Sequence, residues 1–88
     1  MYTVEQFTED NVEFISEYSF QIREAVLENL QAQGFHQATY TFKNDIPLGA
    51  IYIVLSKVEK YFKELGWHAI SHKLCDEDVV FKLIVQPG

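Results

Sequence analysis

The chain has 88 residues, a length that predicts a single compact domain spanning residues 1–88. Its hydrophobic content of 48% and aromatic content of 15% are sufficient for a buried core, and they exclude an intrinsically disordered chain. The net charge of −6 argues against nucleic-acid binding, because phosphate recognition depends on positive charge.

Residues 9–33 have the hydrophobic periodicity of a helix, with apolar side chains recurring at steps of three and four residues. This stripe consists of Val12, Ile15, Tyr18, Ile22, Val26 and Leu30. Thr8 can cap the first turn, whereas a capping box of Thr3 and Gln6 would start the helix earlier or add a short turn before it. Gly34 stands where a helix commonly ends in a left-handed residue.

The second half of the chain predicts a strand, a helix and two further strands. Residues 35–42 are rich in threonine and aromatic residues, which favours a strand. A second helix, which Asp45 or Asn44 can cap and which has Pro47 in its first turn, runs to about Leu65 with its own apolar stripe. This stripe consists of Leu48, Ile51, Val54, Leu55, Val58, Phe62 and Leu65. Residues 67–74 and 79–86 predict two strands around a short acidic turn, which is typical of an antiparallel hairpin.

The order of elements, α–β–α–β–β, predicts an α+β fold in which two helices pack on one face of a three-stranded mixed sheet. A right-handed crossover through the second helix would make the first two strands parallel neighbours, with the last strand antiparallel to the second. The open face of this sheet is expected to show Gln37, Thr39, Thr41, Ala69, Ser71, Lys73, Val80, Lys82 and Ile84.

The stretch GWHAISHKLCDED, residues 66–78, is the part of the sequence closest in composition to a chemical site. His68 and His72 share one face of a strand but lie about 13 Å apart along it, too far for one metal ion. Adding His36 gives no ligand set at metal-site spacing, so no metal and no cofactor are expected. Cys75 precedes three acids, whose negative charge disfavours the reactive thiolate. We therefore expect no catalytic residues and no enzymatic activity.

The strongest functional signal is the presence of apolar residues on the outward faces of both helices. The first face is otherwise acidic and the second is otherwise basic, a complementarity that contact surfaces often show. The two faces consist of Phe20, Leu27, Glu13 and Glu24 on the first helix, and of Tyr52, Ile53, Lys57 and Lys60 on the second.

These faces predict a small cytoplasmic protein–protein interaction module, whose partner is another protein or a second copy of the chain. The cytoplasm is expected because one cysteine cannot form an internal disulfide and the first residues lack the features of a signal peptide. The apolar runs are too short to cross a membrane, so no membrane partner is expected.

Two other classes of function compete with this hypothesis. The alternative is an acidic inhibitor that imitates nucleic acid, of the kind that small viral or mobile-element proteins can be. It is based on the acidic row Glu9, Glu13, Glu17, Glu24 and Glu28. Acidic helix faces are common, however, and a mimic usually carries more charge than −6. A small metal- or thiol-dependent enzyme is the third hypothesis.

Overall fold

The structure is a computed structural model that describes residues 1–43, 45–75 and 79–88. Its elements are α1 (Val4–Asp10), α2 (Val12–Gln33), β1 (His36–Thr41), α3 (Leu48–Glu64), β2 (Trp67–Cys75) and β3 (Val80–Pro87). The α+β class is confirmed, although the described residues contain three helices instead of the two predicted. None of the helices in these ranges has the length and hydropathy that a membrane crossing requires.

The predicted first helix is divided into α1 and α2 at Asn11. Thr3 begins α1 with a capping box: its hydroxyl accepts a hydrogen bond from the N–H of Gln6 (3.1 Å), whose side chain accepts one from the N–H of Thr3 (2.8 Å). The prediction that Thr8 caps the first helix is wrong, because the Thr8 hydroxyl donates to a carbonyl oxygen inside α1. At the other end, Gly34 ends α2 with a φ of 69°, as predicted.

The three strands form an antiparallel sheet in the order β1–β3–β2, so the prediction of a mixed sheet is wrong. Strand β3 lies in the middle, where Val85 pairs with His36 of β1 on one side and with Ala69 of β2 on the other. Strands β1 and β2 run in the same direction without being neighbours. With β3 in the middle, the predicted parallel pairing of β1 with β2 is replaced by an antiparallel pairing of β1 with β3, which is slightly more stable per residue. The acidic turn, residues 76–78, lies outside the described residues.

The face of β2 that packs against the helices is the opposite of the one predicted from the sequence. Ala69 is buried, whereas Ile70 is 47% exposed. The reason is the packing of α3 along β2, since the small Ala69 fits beneath a closely packed helix. His72 is exposed on this outward face. The outward side chains of β2 are those of His68, Ile70, His72 and Leu74, and the inward ones are those of Trp67, Ala69, Ser71 and Lys73.

The core lies between α2, α3 and the inner face of the sheet. Most of the predicted helix stripes are buried, and the middle strand supplies the other side of the core. The buried members of the core include Ile15, Ile22, Val26 and Leu30 of α2, Ile51, Val54, Leu55, Val58 and Phe62 of α3, and Phe81, Leu83 and Val85 of β3. Val12, Leu48 and Leu65 are exposed, because the apolar periodicity continues to the helix ends, beyond the packed middle.

A side chain of α3 covers part of the free edge of β2. The N–H of Ser71 donates to Oε1 of Glu59 at 3.0 Å. Because β2 is an edge strand, this bond satisfies a donor that lacks a strand partner on that side. Glu59 therefore stabilises β2 and hinders the pairing of a further strand along this edge.

Replacing Glu59 with alanine is expected to lower the free energy of unfolding by about 1–2 kcal/mol, because a part-buried backbone donor loses its acceptor. Glu59→Gln keeps an acceptor oxygen and should retain most of this stability. The control is Glu64→Ala, which removes an exposed carboxylate from the same helix. Chemical denaturation followed by circular dichroism measures all three variants. Equal losses in Glu59→Ala and Glu64→Ala would contradict the role of this hydrogen bond.

Candidate functional site

The three histidines do not converge in the folded chain. His68 and His72 are exposed on the outward face of β2, whereas His36 is buried on the opposite face of the sheet. In the part of the chain that the structure describes, no three His, Cys, Asp or Glu side chains are arranged to hold a metal ion. The Cys75 side chain and residues 76–78 lie outside that part. The stretch of residues 66–78 thus provides no assembled site among the described residues.

Buried His36 forms a polar pair with half-buried Tyr40 on the inner face of β1. Only 4% of the His36 surface is exposed, and its Nε2 lies 2.9 Å from the Tyr40 hydroxyl. Its Nδ1 is buried without a hydrogen-bond partner among the described residues. Burial lowers the pKa of His36 and raises the pKa of Tyr40, because the charged form of each side chain loses hydration. Burial therefore favours the neutral form of both groups.

The lowered pKa of His36 makes stability depend on pH in a defined direction. As the pH falls below 6.5, the ordinary histidine value, the unfolded chain binds a proton that the folded chain excludes, so stability is lost until the folded pKa is reached. This loss amounts to at most about 1.4 kcal/mol per pH unit. His36→Leu is expected to remove it, and His68→Leu, at an exposed position, is expected to retain it.

Thermal unfolding of the wild type and both variants between about pH 7.5 and 5.5 measures this dependence, across the range in which histidine ordinarily titrates. Carboxylates affect all three proteins alike, so the difference between the two variants isolates His36. Parallel loss of stability in His36→Leu and the wild type would show that His36 is not the group responsible.

The structure separates the predicted contact residues into exposed and packed groups. Phe20 and Tyr52 are 54% and 50% exposed, respectively. Leu27 and Ile53 are half-buried and pack against the core, so a smaller part of each is available to a partner than the sequence pattern suggests. The charged members, all exposed, are Glu13, Glu24, Lys57 and Lys60.

The packing of Leu27 follows from the position of α3. This helix lies against the flank of α2 that carries Ser19 and Arg23, and Leu27 is one turn beyond Arg23. The sequence pattern gave Leu27 an outward direction because it did not reveal on which flank the second helix would pack.

Ile53 and Tyr52 lie on parts of α3 that other elements cover only in part. Ile53 borders a groove formed with α1, where the Phe7 ring lies directly over Gly49. A Cβ atom at position 49 would come within 3.1 Å of that ring, so this glycine allows α1 to approach closely. The Tyr52 ring packs edge-on against Phe81 at a centroid distance of 5.4 Å. The predicted outward face of α3 is therefore only partly free.

A groove between α2 and α3 connects Phe20, through Arg23, to Lys57 and Lys60. The guanidinium carbon of Arg23 lies 4.8 Å from the ring centroid of Tyr61 and 5.8 Å from that of Phe20. The groove has a volume of about 280 Å³ and is lined by Ser19, Arg23, Lys57, Val58, Lys60, Tyr61 and Glu64. Phe20 and the groove lining are called the α2–α3 face below.

The sequence predictions did not select Ser19, Arg23 or Tyr61 as contact residues. Arg23 is the only base among residues 1–34, and this isolation within an acidic segment is the signal that could have identified it. Tyr61 precedes a core residue, and its position next to Arg23 depends on how the two helices pack. Ser19 has a polar side chain near the helix interface, with no sequence signal beyond that.

No family model, curated protein or solved structure matches this chain. Its function is therefore inferred from its own surfaces. Among the described residues, the α2–α3 face combines an exposed aromatic ring, an arginine in contact with two rings, and a groove with several charged side chains.

Proposed function

We propose that the chain is a protein-binding module of the cytoplasm that contacts its partner through the α2–α3 face. The observation that carries the proposal is the Phe20 ring, which is 54% exposed beside Arg23 while Arg23 also lies over Tyr61. Aromatic residues and arginine are enriched in protein interfaces, where a few such residues supply most of the binding energy. A partner would bury the part of the ring that the chain itself leaves exposed.

The charges around this face indicate what kind of partner would fit. Lys57 and Lys60 are exposed on α3, so an acidic segment beside an apolar group would match this side of the face. A second copy of the chain meets this requirement, because Glu13 and Glu24 are exposed on its α2. Two copies related by a two-fold axis would place the acids of each α2 against the lysines of the other α3.

The same charges argue against the imitation of nucleic acid. Glu9 belongs to α1, so the acidic row of the sequence is divided between two helices. The part of the row on α2 is exposed, but Arg23 lies on the same helix and Lys57 and Lys60 lie across the groove. A nucleic-acid backbone presents only negative charge, which a surface of mixed charge reproduces poorly.

Replacing Phe20 with serine is expected to remove association without disturbing the fold, since the ring is exposed in the free chain. Burying such a ring contributes about 2–3 kcal/mol, so its loss should weaken association by about tenfold or more. Analytical ultracentrifugation over a range of concentrations measures self-association. A pull-down from the native host with mass spectrometry finds proteins whose capture depends on Phe20.

The matched control is Ile70→Ser, which removes an apolar side chain of similar exposure from the open face of the sheet. It is expected to associate as the wild type does. Loss of association in Ile70→Ser but not in Phe20→Ser would identify the open sheet face as the contact surface and refute the proposal. Leu27 is unsuitable for this test, because it packs against the core and its replacement would also reduce stability.

Salt dependence separates the proposed module from a nucleic-acid mimic. Raising the salt concentration from about 50 to 200 mM is expected to weaken partner binding by less than about tenfold, because salt does not screen the apolar contact of Phe20. A protein site built for nucleic acid makes many ionic contacts and would lose about a thousandfold or more over this range. Fluorescence anisotropy of the labelled chain with its partner measures the affinity at each salt concentration. The larger loss of affinity would favour the nucleic-acid mimic.

A further inference from the structure

The groove between α2 and α3 is cationic, although the whole chain has a net charge of −6. Arg23, Lys57 and Lys60 line it together with one carboxylate, that of Glu64, so three cations against one anion leave a net charge of +2. Val58 and Tyr61 form apolar parts of its wall. A concave surface with apolar walls and charge of one sign concentrates the electrostatic potential, which here attracts an anion.

Arg23 is oriented within this groove by the rings around it. Its guanidinium carbon lies 4.8 Å from the centroid of Tyr61 and 5.8 Å from that of Phe20, distances at which a cation and an aromatic ring attract each other. A guanidinium group contacts rings through its planar faces and binds oxyanions through the N–H donors along its edges. Contact with the rings is therefore compatible with binding an oxyanion, and it reduces the conformational freedom that binding would cost.

Ser19 also lines the groove, one helical turn before Arg23. Its Oγ is buried and has no hydrogen-bond partner among the residues that the structure describes. A serine within a helix can satisfy its hydroxyl with the carbonyl group four residues earlier, and a buried hydroxyl without a partner is unfavourable. Because this oxygen is shielded from solvent, the donors that a ligand in the groove can reach are the cationic side chains.

We propose that this groove binds an oxyanion, a carboxylate or phosphate group, with the Arg23 guanidinium as the direct donor. The ammonium groups of Lys57 and Lys60 supply additional positive charge. This inference rests on the proposed function and deepens it, because it names the chemical group that a partner places in the α2–α3 face. The carboxylate would come from an acidic side chain of the partner protein, and the phosphate from a phosphorylated ligand.

A nuclear magnetic resonance titration tests the site without any protein partner. Inorganic phosphate and acetate are added separately to the isotope-labelled chain, with the ionic strength held constant by chloride. At least one of the two anions is expected to give saturable shifts at millimolar concentrations, centred on the signals of Ser19, Arg23 and Lys57. The anion that binds more tightly identifies the source, a phosphorylated ligand or a protein carboxylate.

Variants then test which side chains bind the anion. Arg23→Gln is expected to weaken binding by about tenfold or more, because it removes a charge-assisted donor. Lys57→Gln, at an exposed position that leaves the ring contacts of Arg23 in place, should weaken it by a smaller factor. The control is Lys43→Gln, which changes the net charge equally at an exposed position outside the groove and should bind as the wild type does.

The absence of saturable shifts with both anions would overturn the inference, as would equal weakening by Arg23→Gln, Lys57→Gln and Lys43→Gln. The result of the anion titration does not depend on the result of the Phe20→Ser association experiment. If the titration fails, the Phe20→Ser experiment still tests partner binding. If Phe20→Ser has no effect on association, the titration still tests the oxyanion site.

Discussion

The packing of α3 along β2 determines the arrangement of the rest of the chain. Ala69 lies beneath the helix, and the N–H of Ser71 donates to Glu59 of the same helix. These contacts orient β2 so that Ile70 faces outward, and they cover part of one edge of the strand. Strand β3 pairs with the other edge of β2 and, through its second edge, with β1, which gives an antiparallel sheet. Its Leu83 and Val85 then complete the core under both long helices.

The open sheet face and the α2–α3 face, two of the partly apolar surfaces among the described residues, differ in chemical character. The open sheet face carries Ile70 opposite Ile84, but His72 lies opposite Lys82 in the middle of that face and interrupts the apolar area. Scattered exposed aliphatic side chains are common on protein surfaces and need no partner. The α2–α3 face instead holds the Phe20 ring against Arg23 at the border of a cationic groove. That combination of aromatic, arginine and charge complementarity is more typical of a binding surface.

The features that the sequence predicted well are those determined by local interactions. The helical period identified Ile22, Val26 and Phe62 as core residues, and Gly34 marked the end of a helix, because both signals depend on residues within a few positions of each other. The alternation of a strand defines two faces but does not determine which one is buried. For β2, apolar Ile70 suggested the wrong face, because the tight contact with α3 favours the small Ala69 instead.

The candidate site shows the same limit. Phe20 could be selected because it departs from the apolar stripe of its own helix, a feature visible in the local pattern. The partners of Arg23 could not be predicted, because the contact with Tyr61 joins residues far apart in the chain and depends on how two helices pack. Ser19 lines the groove only because α3 packs beside it. The cationic groove is therefore a product of tertiary structure, although each of its residues is visible in the sequence.

Site-specific photo-crosslinking in the native host tests the central claim most directly, namely that a protein partner binds at the α2–α3 face. A photoreactive phenylalanine derivative at position 20 detects contacts with this face, and the same derivative at position 70 detects contacts with the open sheet face. Protein adducts are expected from position 20, and excess wild-type chain should suppress them whereas excess Phe20→Ser chain should not. Adducts from position 70 with none from position 20 would contradict it.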